Sequence, residues 1–208
     1  LLRKTYKVGP STTLLFHAAA GGVGLIAMQW AKHLGATVIG TAGDAAKCKL
    51  AKEAGATHTI NYRTEKFVDR VKEITGGAGV KVVYDSVGKD TLLKSLKCLR
   101  LHGTLVNFGQ SSGPVTDFRI ADLAAGSFHL TRPVLFHFTS DRAWLERAAE
   151  QKSDDATIVE HLGDRPLTEV EAVIGAFLGL DEALQAVDRA ENARDSLPAR
   201  RRVGIVRV

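Results

Sequence analysis

The residues best suited to chemistry are glycines: Ala19-Ala20-Gly21-Gly22-Val23-Gly24 follows the β-branched and apolar run Thr12 to Ala18 and opens an apolar helical stretch. With alanine in its first position, Ala19-x-Gly21-x-x-Gly24 matches the dinucleotide fingerprint, and its strand-before, helix-after context is what the mechanism requires. Gly21 allows backbone to approach a pyrophosphate closely, and Gly24 allows a helix to pack tightly on a strand. From Val23 the helix presents free N–H groups and the positive end of its dipole to the anion.

A second group of residues bears on which nucleotide is bound. NAD-binding turns usually place an acid about 20 residues beyond the glycines, where it holds the ribose 2′-hydroxyl. Here the second strand ends Ile39-Gly40-Thr41-Ala42-Gly43. Asp44 falls within the spacing but directly precedes a helix, where N-capping is its better role. The small Gly43 leaves room for a 2′-phosphate, and Lys47, Lys49 and Tyr62-Arg63 supply cations and a hydroxyl. NADP is therefore expected over NAD. Two later strand ends, Asp85-Ser86-Val87-Gly88 and Phe108-Gly109-Gln110-Ser111-Ser112, carry glycine and serine suited to close approach to ribose or carboxamide. Asp85 is given a capping role rather than a catalytic one.

These residues need a scaffold, and the rhythm of the sequence supplies one. Strands are expected at Thr12 to Ala18, Thr37 to Thr41, Thr59 to Tyr62, Val80 to Ser86, Thr104 to Phe108 and Ser127 to Thr131. Helices are expected at Val23 to Leu34, Ala45 to Ala54, Glu65 to Thr75 and Thr91 to Leu99, closed by Gly35, Gly55, Gly76 and Gly103 as left-handed caps. This alternation predicts a doubly wound, six-stranded parallel α/β sheet, a Rossmann domain over 1–135. A C-terminal extension over 136–208 follows, with helices near Asp141 to Lys152, Thr168 to Phe177 and Asp181 to Ala193 and a final strand Gly204 to Val208. The opening Leu1 to Tyr6 resembles the end of a helix, so a preceding N-terminal part is expected.

Composition narrows the function classes. A chain of 208 residues, 45% hydrophobic, can bury one substantial core. Its longest uncharged apolar stretch, Thr12 to Ala31, is broken by three glycines, which argues against a membrane span and a membrane partner. Cys48 and Cys98 lack a C-x-x-C partner, which points to reduced thiols and a cytoplasmic setting. Much of the formal charge of +5 sits in Arg200-Arg201-Arg202 and Arg207 rather than on an aromatic-studded face, so nucleic acid is not the expected partner. The seven histidines show no i,i+4 pair and no H-E-x-x-H, so no protein metal site is expected.

Together, His17 to Gly24, Asn61-Tyr62-Arg63, Tyr84-Asp85-Ser86-Val87-Gly88 and Phe108-Gly109-Gln110-Ser111-Ser112-Gly113 resemble the NADPH:quinone oxidoreductases of the medium-chain dehydrogenase/reductase superfamily. The likeness runs from Leu1 to about Ala149. It implies NADPH on the turn Ala20, Gly21, Gly22 and Val23, its 2′-phosphate at Gly43, Lys47 and Tyr62, contacts from Ser86 and Val87, and its nicotinamide end near Phe108, Gly109, Gln110 and Ser111. The resemblance also implies no catalytic zinc, a quinone or enone as small-molecule substrate, and a homodimer pairing the sixth strand, Ser127 to Thr131. Asp181-Glu182-Ala183-Leu184 and Glu191-Asn192-Ala193-Arg194 look like that family's closing helix, with Arg194 matching a cofactor-contacting arginine, whereas Gln151 to Ala176 matches poorly. An N-terminal barrel-like domain that forms one wall of the family's substrate cleft has no counterpart in the sequence.

Hydride transfer to a quinone demands no triad or paired carboxylates, so no catalytic side chain is nominated. Two other functions fit the same residues: an enoyl reductase or alcohol dehydrogenase portion, and a non-enzymatic NADP-binding module. Zinc ligands in preceding sequence would mark the alcohol dehydrogenase, and NADPH binding without quinone turnover by this chain would mark an incomplete enzyme.

Overall fold

A computed structural model of the chain describes residues 1–135 and His137. Its elements run β1 (Thr13–Phe16), α1 (Gly22–His33), β2 (Thr37–Ala42), α2 (Ala45–Glu53), β3 (His58–Asn61), α3 (Phe67–Ile74), β4 (Val80–Asp85), α4 (Leu92–Leu96), β5 (Leu99–Asn107) and β6 (His129–Thr131), with a short 3-10 helix at Ile120–Ala125 before the last strand. The six strands form one sheet in the order β3-β2-β1-β4-β5-β6, every pairing parallel. This is the doubly wound order, in which the chain reverses direction across the sheet between β1 and β4.

Strand periodicity explains why both faces are covered. Successive strand residues point to opposite sides of a sheet. Leu14, Phe16, Val38, Val82, Tyr84 and Val106 therefore enter one core with Met28 and Ala31 of α1 and Ala51 of α2. Leu15, Ile39, Ile60, Val83 and Leu105 enter the other with Val71 of α3 and Leu92 and Leu96 of α4. All of the strand residues in both sets are fully buried. Continuous apolar strands of this kind are what a sheet packed on both faces requires.

Among the described residues the expected elements all form, and their ends shift for identifiable reasons. The first strand stops at Phe16, because Ala18 adopts φ 54 and turns the chain into the glycine segment. Gly35, Gly55 and Gly76 take the positive φ expected after helices. The fourth helix is the one substantial revision. It covers only Leu92–Leu96, and Leu99 to His102, expected partly as helix, belong to β5. Leu99 pairs with Val80 and Thr104 with Val82, so the strand carries a bulge there, and the left-handed residue is His102 at φ 59 rather than Gly103. Leu1 to Tyr6 forms turns instead of regular helix, closed by Tyr6 N–H donating to the Leu1 carbonyl at 3.2 Å. The expected helices and strand of 141–208, Arg194, and the 136–208 extension as a unit lie outside the described residues.

Candidate functional site

The site is built where β1, β2, β4 and β5 end. His17 N–H donates to the Tyr84 carbonyl (3.0 Å) and Ala19 N–H to the Thr41 carbonyl (2.9 Å), so the chain leaving β1 is held to both neighbouring strands. Gly21 N–H then closes a turn on the Ala18 carbonyl at 2.9 Å, and α1 starts at Gly22. No side chain caps this helix and no acid occupies its first turn. The N–H groups of Gly22, Val23 and Gly24, having no carbonyl one turn earlier within the helix, are available to an anion. Gly24 meets the packing requirement: a Cβ there would lie 2.4 Å from the Ala18 carbonyl oxygen and 2.6 Å from the Ala19 carbonyl. At Gly21 the only close atom is the Ala18 oxygen, 3.2 Å from the same construction. Gly21 and Gly22 are exposed, as a surface meant for a ligand must be.

At the end of β2 the structure separates the roles proposed for Asp44 and its neighbours. Asp44 accepts a hydrogen bond from the Lys47 N–H at 2.8 Å, which makes it the N-cap of α2. Its other oxygen lies 3.8 Å from Lys47 Nζ. Gly43 is buried beneath Tyr62: a Cβ on Gly43 would fall 2.8 Å from the tyrosine hydroxyl and 3.7 Å from Arg63 Nε. Tyr62 is half exposed, and the Lys47 side chain is 64% exposed, so hydroxyl and ammonium both reach solvent. The structure thus brings Gly43, Tyr62 and Arg63 together, with Lys47 on the adjoining first turn of α2.

The ends of β4 and β5 are fastened into one surface. Phe108 N–H donates to the Asp85 carbonyl (2.8 Å), Ser111 N–H to Ser86 (3.1 Å) and Ser112 N–H to Val87 (2.9 Å). A Cβ on Gly109 would stand 2.6 Å from the Ser86 carbonyl oxygen, so only glycine allows this approach. Phe108 packs its ring against Phe16 with centroids 5.7 Å apart. Asp85 does not cap the next helix as expected, because the N-cap of α4 is Thr91; its Oδ1 instead accepts from the loop N–H groups of Val87 (2.8 Å) and Gly88 (3.0 Å), and the Thr91 hydroxyl lies 2.8 Å from both carboxylate oxygens.

Sequence reasoning missed the side chains behind these loops. Fully buried Ser95 lies 3.2 Å from Asp85 Oδ2 and 3.0 Å from His17 Nε2, and His17 Nδ1 lies 3.0 Å from Thr41 Oγ1. The His17 and Phe67 rings meet in a T-shaped arrangement at a centroid separation of 5.0 Å. Burial lowers the pKa of His17, opposed in part by the Asp85 charge, and so favours the neutral ring. The available signal was a histidine inside the apolar run Leu14 to Ala18, two residues before the segment Ala19 to Gly24.

Among the described residues no helix is long and apolar enough to cross a membrane, and no group of three or more His, Cys, Asp or Glu could hold a metal ion.

Comparison with known proteins agrees with this geometry. A family model described as zinc-binding dehydrogenase matches residues 22–150. The quinone oxidoreductase of Salmonella typhimurium is 57% identical over 152 residues, 73% of this chain and 46% of that protein. The 2-haloacrylate reductase of a Burkholderia species is 50% identical over 72% of this chain and 46% of its own length. A crystal structure of Escherichia coli quinone oxidoreductase complexed with NADPH superposes with a TM-score of 0.70 at 54% identity, covering 72% of this chain and 46% of that one. The chain thus spans about half the length of the relatives it matches. With the family model covering more than half of its residues, the chain belongs to the zinc-binding dehydrogenases of the medium-chain dehydrogenase/reductase superfamily, and the relatives it matches include quinone oxidoreductases.

Proposed function

We propose that this chain is the NADPH-binding part of a zinc-independent quinone oxidoreductase. One observation carries the choice of cofactor: the end of β2 offers a glycine beneath a tyrosine hydroxyl with Arg63 and Lys47 beside it, while its one acid, Asp44, caps α2. An anion meets donors and cations there, and a bare ribose finds no free carboxylate. The similar Escherichia coli protein is described with NADPH bound, which supports the same assignment.

In this reading Ala20, Gly21, Gly22 and Val23 cradle the pyrophosphate, the N–H groups of Gly22 and Val23 donating to it while that of Gly21 stays on the Ala18 carbonyl, and Gly43, Lys47 and Tyr62 hold the 2′-phosphate. Ser86 and Val87 line the ribose, and Phe108, Gly109, Gln110 and Ser111 border the nicotinamide end. Arg194 is a further proposed contact. The fit rests on Gly21, exposed with only the Ala18 oxygen near a Cβ, while Gly43 and Gly109 let the Tyr62 hydroxyl and the Ser86 backbone come close on either side. When bound, NADPH supplies the hydride that reduces a quinone or conjugated carbonyl. The residues of this chain bind and orient it. No side chain here is assigned a proton or a covalent bond. The proposal extends to a homodimer through β6, which among the described residues lies at the edge of the sheet with β5 as its one neighbour. It extends also to a cytoplasmic setting.

The test is parallel titration of the chain with NADPH and NADH, followed by Lys47→Ala. NADPH is expected to bind at least about tenfold more tightly than NADH, one charge-assisted contact being enough for that ratio. Lys47→Ala should weaken NADPH and leave NADH unchanged. NADH binding as tight as NADPH would refute the assignment. An NADPH-oxidation assay with a small quinone then asks whether this chain turns over alone; binding without turnover is the expected outcome.

A further inference from the structure

Resting on the NADPH reading above, we propose that His17 is a positioning residue for the nucleotide, held as the neutral Nε2–H tautomer in a buried chain Thr41–His17–Ser95–Asp85 that ties together the ends of β2, β1 and β4. The order of the hydrogen bonds fixes the tautomer. Asp85 is the acceptor at one end, already receiving N–H groups from Val87 and Gly88. A serine hydroxyl has one proton, and Ser95 lies 3.2 Å from Asp85 Oδ2. If that proton went to His17, the hydroxyl lone pairs of fully buried Ser95 would face a carboxylate oxygen. Donation to Asp85 removes that clash. Ser95 must then accept from His17 Nε2–H at 3.0 Å, which leaves Nδ1 to accept from the Thr41 hydroxyl at 3.0 Å.

Each end of this chain holds a piece of the site. Asp85 Oδ1 shapes the Ser86 to Gly88 loop, on which the Phe108 to Ser112 loop is fastened. Thr41 lies two residues before Gly43, and its carbonyl accepts from Ala19 N–H at the start of the glycine turn. The Thr41 and Asp85 strands flank β1 on opposite sides. A ligand stretched over the carboxyl ends of these strands meets surfaces whose spacing His17 and Ser95 set from below. Buried, bonded at both nitrogens and packed T-shaped against the Phe67 ring, the imidazole has one available arrangement.

The test uses the full chain with ¹⁵N-labelled histidine, together with Ser95→Ala, His17→Leu and His17→Gln. Long-range ¹H–¹⁵N spectra should show one neutral ring with a protonated Nε2 and a bare Nδ1, absent from both His17 variants and altered in Ser95→Ala. Ser95→Ala and His17→Leu should weaken NADPH and NADH alike, by about three- to tenfold, with the ratio between them within twofold of the parent. His17→Gln, whose amide can still donate to Ser95, should recover most of the loss. If His17→Leu does not fold, Ser95→Ala, which removes one buried oxygen, decides the matter. A protonated Nδ1, a charged ring at pH 7, or a folded Ser95→Ala that binds NADPH within twofold of the parent would overturn the proposal. Failure of the parent chain to bind NADPH would instead refute the nucleotide reading, while the tautomer would still be decided by the spectra.

Discussion

Substituting the two glycines of the turn by alanine separates packing from ligand approach. In Gly24→Ala the new methyl would stand 2.4 Å from the Ala18 oxygen and 2.6 Å from the Ala19 carbonyl carbon and oxygen, all inside the 3.0 Å that real Cβ atoms do not cross. Every one of these atoms is backbone, in a segment held to β2 by the Ala19–Thr41 hydrogen bond, so no rotamer change relieves the overlap. Overpacking of this kind costs about 3 kcal/mol, at the upper end of its usual range. Alanine returns about 1 kcal/mol through its better helix propensity. The net loss of about 2 kcal/mol should lower Tm by about 4–8 °C for a chain of this size. Gly21→Ala meets one atom, at 3.2 Å, from a backbone at φ −76 that alanine adopts freely. It should move Tm by no more than about 2 °C, the limit of a surface substitution, yet weaken NADPH by crowding the N–H groups at the start of α1. Thermal unfolding by circular dichroism, with fluorescence titration of NADPH on the same samples, reads both quantities. A Gly24→Ala chain as stable as the parent, or a Gly21→Ala chain less stable than Gly24→Ala, would refute the packing argument.

Gly43→Ala would place a methyl 2.8 Å from the Tyr62 hydroxyl, a half-exposed side chain that can swing aside. Its expected effect is therefore a loss of NADPH affinity with NADH affinity and Tm preserved, checked by paired titrations. Cys98 is fully buried and its thiol is pushed up to about 12 by desolvation, whereas Cys48 is partly exposed. A thiol reagent at pH 8 should modify one cysteine in the folded chain and the second only on denaturation; equal rates would contradict the buried placement. The pH dependence of stability should carry the mark of His17, whose pKa burial lowers from the ordinary 6.5. Above pH 6.5 the ring is neutral folded and unfolded alike, so the full stability is present there. As pH falls below 6.5 the unfolded chain takes up a proton that the folded ring resists, and stability is lost. Tm measured from pH 7.5 to 5 should fall less steeply in His17→Gln than in the parent, and identical slopes would refute the assignment.

Sequence separation decides which parts of this site were legible. Asp44 caps the backbone N–H three residues on, so its role follows from its place before a helix. The glycine turn is likewise local, and apolar runs place the sheet around it because both faces of the central strands β1, β2 and β4 must be buried. Where two periodicities overlapped, the reading failed. Leu92, Leu93, Leu96 and Leu99 keep helical spacing, while Leu99 and Leu101 also keep strand spacing, and only pairing of Leu99 with Val80 settles the segment as strand. Pairing of that kind is tertiary and leaves no mark on a short window. The His17–Ser95 contact is the extreme case, joining residues 78 apart whose chemistry is unremarked in either neighbourhood. Yet burying a histidine at a strand end obliges the fold to supply a partner for each ring nitrogen, since an unmet one costs about 1–3 kcal/mol. A polar residue buried just beyond an apolar strand, before a glycine turn, therefore implies long-range partners, and Thr41 at the end of β2 and Ser95 in α4 fill that requirement here, one two residues before Gly43 and one against Asp85.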